Sequence, residues 1–69
     1  MTMMNTLIEL QHLAAHRPSA TAPPDEVAAW YRDKALLHQH LALESREPAI
    51  AARERLLAGA ALRRAAIAG

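Results

Sequence analysis

Four prolines set the limits on how this chain can fold. Proline has no backbone N–H and clashes with the preceding helical turn, so helix interiors exclude it while the first turn accepts it. Pro18, Pro23 and Pro24 fall close together, and Pro48 stands alone. The stretches they leave free each show apolar residues at helical spacing. The chain therefore reads as all-α. A short N-terminal helix covers about 4–16, a linker 17–23, and two longer helices about 24–46 and 48–68.

The stretch from Pro24 to Arg46 organises the rest. Pro24, Asp25 and Glu26 suit a helix start, since acidic groups there meet the positive end of the helix dipole. Val27, Trp30, Leu37 and Leu41 then form an apolar stripe, interrupted by Lys34. Either the Lys34 stem packs while its ammonium reaches water, or this part of the stripe is an exposed interface. A second side carries Ala29, Leu36, His40 and Leu43, so the helix needs a partner element on two faces. Trp30 and Tyr31 are the only Trp and Tyr. On a helix they point about 100° apart. Trp30 is assigned to the core, and Tyr31 to a contact strip with Lys34 and His38.

In the first helix Met3, Met4, Leu7, Ile8, Leu10, Leu13 and Ala14 share one broad side. Thr6 with Glu9 forms a capping box, or Thr2 starts the helix a turn earlier. After Pro48 the main stripe is Ile50, Leu57, Ala58, Ala61 and Ala65, with Leu56, Ala60 and Ile67 as a weaker one. Gly59 costs about 1 kcal/mol relative to alanine and is read as marking a close helix crossing. The two long helices are expected to form an antiparallel hairpin about Glu47, in preference to one helix kinked at Pro48. Leu41 then meets Ile50 or Arg53, and Leu37 meets Leu57. Trp30 lies over Ala61 or Ala65 with Arg64 against its indole.

A chain of 69 residues with Cys 0 and Phe 0 is one domain, 1–69, with a thin core and no disulfide. A domain this small buries only about 60% of its unfolded surface. Much of its apolar content is alanine, which adds little buried area. A homodimeric helical bundle supplies what is missing, with Val27, Trp30, Leu37, Leu41, Ile50 and Leu57 holding core and dimer. The net charge of +1 gives no strong attraction to nucleic acid or acidic membranes. No stretch reads as a membrane span or a signal peptide, so a cytoplasmic location is expected.

Chemistry is sparse. His12 and His16 are spaced to share a metal ion from one helix face, but no third ligand completes the pair, and they read as solvated. Ser19 and Ser45 stand in no nucleophile motif, and no glycine-rich phosphate loop occurs. Neither an enzyme nor a bound cofactor or metal is expected. Arg53, Arg55, Arg63 and Arg64 lie mostly off the apolar stripe of the last helix. They read as a solvated face. The alternative is a small DNA-binding regulator that lays this face on phosphates. A third reading lays the C-terminal helix on a membrane surface. Tyr31, Lys34, Arg46 and Arg53 are the candidates for contact with a partner protein, because Tyr and Arg are enriched where binding energy concentrates.

The cysteine-free Ala/Leu/Arg helices and the segment WYRDKALLHQHLALESREP resemble small early proteins of GC-rich bacteriophages that bind and block host proteins. The most similar type is the quorum-sensing anti-activator of Pseudomonas phages. That resemblance implies a helical homodimer binding a LuxR-type transcription activator, and a pilus-assembly ATPase as a further target. It assigns no residue. By composition the chain is equally similar to small helical actinobacterial proteins.

Overall fold

Three helices account for the described chain, residues 5–69 of a computed structural model: α1 (Thr6–Ala15), α2 (Pro24–Glu44) and α3 (Pro48–Ala68). The expected roles of Thr2, Met3 and Met4 lie outside the described residues. No helix is long and apolar enough to cross a membrane among those described.

The helix ends follow from local chemistry. Asn5 caps α1 by accepting a hydrogen bond from the Ile8 N–H at 3.1 Å. This replaces the expected Thr6–Glu9 box. Asparagine is one of the strongest N-caps, and both box residues are used elsewhere. Thr6 Oγ1 donates to Glu44 Oε1 at 3.0 Å, and the Glu9 carboxylate accepts from His40. α2 stops at Glu44, short of the expected residue 46, because Ser45 is extended. The Ser45 hydroxyl donates to the Glu47 carbonyl and accepts from its N–H, both at 3.2 Å. Glu47 is extended too, as the residue before a proline tends to be, and Pro48 opens α3.

α2 and α3 pack side by side and run in opposite directions. His38 meets Glu54, and Tyr31 meets Arg64. The seam between them is made of alanine. Ala28, Ala35 and Ala42 are buried at intervals of seven along α2, and Ala51, Ala58 and Ala65 at the same interval along α3, with Ala61 between. A repeat of seven keeps one line of a helix facing its partner. Residues this small let the two backbones approach closely: at the open end a Cβ placed on Gly69 would lie 3.4 Å from the Ala28 Cβ.

This seam corrects the expected one. Ile50 is 49% exposed and Leu57 38% exposed on the single chain, so neither fills the interior between α2 and α3. The alanines one position further along occupy those places, and the long side chains fall on the flank. Trp30 does not lie over Ala61 or Ala65. It turns toward α1, where its Nε1 donates to the Leu13 carbonyl at 3.0 Å. Nor does Gly59 mark a crossing. A Cβ there would meet only the Arg63 side chain, at an ordinary 3.6 Å.

α1 runs antiparallel to α2 and, among the described residues, packs on α2 alone. Leu13 is its one buried residue and Leu37 is the large buried residue of α2. Polar ties do the rest: Thr6 to Glu44, Glu9 to His40 at 2.8 and 2.9 Å, and the Leu13 carbonyl to Trp30. Nine of the described residues are buried, and seven of them are alanines. A core of that kind has little apolar area to stabilise it.

The seam and the idle glycine give opposite expectations. Gly59→Ala should raise stability by about 1 kcal/mol in urea unfolding, because it removes backbone entropy from the unfolded chain without a clash. Ala58→Leu, one position earlier but inside the seam, should lower stability by about 1–3 kcal/mol through overpacking. Equal effects from the two changes would contradict the seam.

Candidate functional site

A groove runs along the junction of α1, the start of the linker and α2. Leu7 and Leu10 of α1 face Leu37 and Leu41 of α2 at one end. The groove continues past Lys34, Trp30 and Arg17, with His38 on its α3 side. Ile50, Leu57 and Arg64 are spaced by seven and share one line of α3. Arg64 fixes which way that line faces, because its Nη2 donates to the Tyr31 hydroxyl at 3.2 Å. Ile50 and Leu57 therefore lie on the same side of α3 as Arg64.

The groove has two halves of different chemistry. Near the α2–α3 turn it is aliphatic: Leu7 and Leu10 are exposed there, and Leu41 is half-buried. At the open end it is aromatic and cationic. Trp30 and Tyr31 meet edge to face, with ring centroids 5.2 Å apart. The Arg17 guanidinium lies 5.8 Å from the Trp30 ring centre and the Lys34 ammonium 5.9 Å from it. Arg64 lies 5.3 Å over the Tyr31 ring. The Arg64 hydrogen bond holds the Tyr31 phenol below its ordinary pKa; desolvation opposes it, and the charges of Arg64, Lys34 and Arg17 add to the lowering.

The expected contact residues separate into two places. Tyr31 and Lys34 come together at the open end with Trp30. Arg46 sits exposed in the turn, roughly 20 Å further along at the helical rise. Arg53 is exposed on the first half of α3. His38 lies with Lys34 in the groove, and its Nδ1 donates to Glu54 Oε2 at 2.7 Å. Val27 and Leu41 are half-buried on the α2 floor and Trp30 is half-buried beside them. Arg64 was expected over Trp30 and lies over Tyr31 instead. Arg17, at the start of the linker, joins the site although it was not among the expected contact residues. Its position after α1 carried no signal of a ring thirteen residues on.

His12 and His16 stack with ring centroids 4.1 Å apart, and His16 Nδ1 donates to the His12 carbonyl at 2.9 Å. That bond takes one ring nitrogen of His16 out of any ligand set. No group of three metal-binding side chains occurs among the described residues.

Tyr31 is the sole tyrosine, so its ionisation can be followed directly by phenolate absorbance. Arg64→Gln removes the first cause of the lowered pKa and should raise the titration midpoint toward the ordinary tyrosine value. A midpoint that does not move would show that the Arg64–Tyr31 contact is not made in solution. The chain matches no family model, and no curated protein or solved structure is significantly similar to it.

Proposed function

We propose that this chain is a homodimeric helical interaction module that works by binding a host protein and inhibiting or regulating it, without catalysis. One observation carries the reading. The single chain leaves ten large aliphatic side chains exposed and buries two, Leu13 and Leu37, among the described residues. A protein that builds its interior from alanine and keeps its leucines outside has surfaces to cover. The aliphatic half of the groove is the dimer face in this reading. Leu41, Ile50 and Leu57 then act with Val27, Trp30 and Leu37 as core and dimer residues of a bundle of two hairpins. A twofold contact needs about 800 Å² from each subunit.

Regulation by occlusion requires only a rigid surface. Tyr31 and Lys34 present one at the open end, and Arg46 and Arg53 present another near the turn. The resemblance to phage anti-activators gives the target its class: a transcription activator of the LuxR type, met in the cytoplasm of the host. The arginines of α3 on DNA are the reading that competes with this one.

Light scattering on the full chain should return twice the mass of one chain. Leu41→Asp should halve that mass while circular dichroism remains helical. A monomer at all concentrations would end the dimer reading. Capture from nuclease-treated host lysate should then return a protein at stoichiometric yield. Recovery of nucleic acid alone, and only without nuclease, would favour the arginine face of α3.

A further inference from the structure

We infer that the open end of the groove, formed by Trp30, Tyr31, Arg17, Lys34 and Arg64, is a docking site for an acidic peptide segment of the partner protein. The inference rests on the interaction-module reading and gives that partner a chemistry.

Three cations converge on two adjoining rings from three parts of the fold: Arg17 from the linker, Lys34 from α2 and Arg64 from α3. Each lies within 6 Å of a ring centre, the range in which a cation is held by the ring face. None of the three has a carboxylate within 4.0 Å. The ion pairs among the described residues are His38–Glu54 and His40–Glu9. The rings thus hold the cations in place without neutralising them, so their charge remains available to an incoming anion. The same three cations, after the Arg64 hydrogen bond, are what lower the Tyr31 phenol pKa.

The surroundings select the anion. Leu10 and Leu37 line the same groove as Arg17 and Lys34, so the ligand pairs carboxylates with apolar side chains. An acidic peptide with leucine-like neighbours has that character. A run of phosphates does not. The whole chain carries a net charge of only +1, too little to gather a polyanion. Guanidinium groups bind carboxylates through two parallel hydrogen bonds, which adds geometric selectivity to the charge.

Trp30 is the sole tryptophan, so its fluorescence reports the site directly. The probes are a short acetylated peptide of Glu-Leu-Leu-Glu blocks, its twin with Gln for every Glu, and a duplex oligonucleotide. The Glu peptide should change the Trp30 emission saturably. Lys34→Gln and Arg64→Gln should each weaken that binding about tenfold, the scale of one charge-assisted contact. Arg55→Gln, off the groove, should leave it unchanged. If Arg64→Gln loses helical circular dichroism, Lys34→Gln alone decides, because Lys34 bridges no two helices. Equal binding of the Gln twin, tighter binding of the duplex, or undiminished binding by folded Lys34→Gln would each overturn the site. Light scattering on the same samples keeps the two readings apart. A dimer that ignores the Glu peptide overturns the docking site alone. A monomer that binds it overturns the dimer alone.

Discussion

The close approach of α2 and α3 on alanine is the constraint from which the rest of the structure follows. Ala28, Ala35 and Ala42 against Ala51, Ala58 and Ala65 leave no room between the helices for a long side chain. Each leucine or isoleucine of α3 must then sit on a flank or on the outer face, and Ile67 at 82% exposure shows how far this goes. Shape and stickiness come from the same choice. Small residues make the pair narrow and well aligned, but they bury little apolar area. The aliphatic side chains displaced from the seam become surface.

α1 shows how a marginal element is held when the core is thin. Ten residues are too few for a stable isolated helix in water. One buried leucine docks it, and three polar ties along its length set its direction and register: Thr6–Glu44, Glu9–His40 and the Leu13 carbonyl on Trp30. The last of these also gives a partner to a carbonyl in the final turn, where helices leave such groups unsatisfied. α1 rests on α2 alone, and the groove follows their junction. The same indole that anchors α1 carries Arg17 and Lys34 over its ring. Site and scaffold share this side chain.

What the sequence disclosed about this fold was its punctuation. Pro24 and Pro48 start helices where a missing N–H costs nothing, and the linker prolines bar a continuous helix, so helix number and order could be read directly. The facing residues could not. Hydrophobic periodicity was scored on large residues, and it drew the stripe of α3 through Ile50 and Leu57. The alanine repeat at intervals of seven was present in both helices, and it describes the buried line more closely than the leucines do. Alanine is so common in helices for its propensity alone that its spacing looks like background. The site was partly legible for a related reason. Tyr31 and Lys34 are neighbours on one helix, so spacing brings them together. Arg17 and Arg64 reach the same rings from other elements, and only the tertiary arrangement joins them.

That arrangement makes the cationic end conditional on the fold. In the unfolded chain Arg17, Lys34 and Arg64 are scattered charges. They surround two rings only when the linker returns beside Trp30 and the C-terminal half of α3 closes on Tyr31. A ligand held by all three would touch the linker, α2 and α3 at once, and it would favour the state in which they are assembled. Binding to the folded form alone adds stability in proportion to the logarithm of ligand concentration over its dissociation constant. For a chain whose interior is mostly alanine, that contribution is large relative to what the core supplies. Docking and folding are then two views of one equilibrium, and the thin core is what couples them.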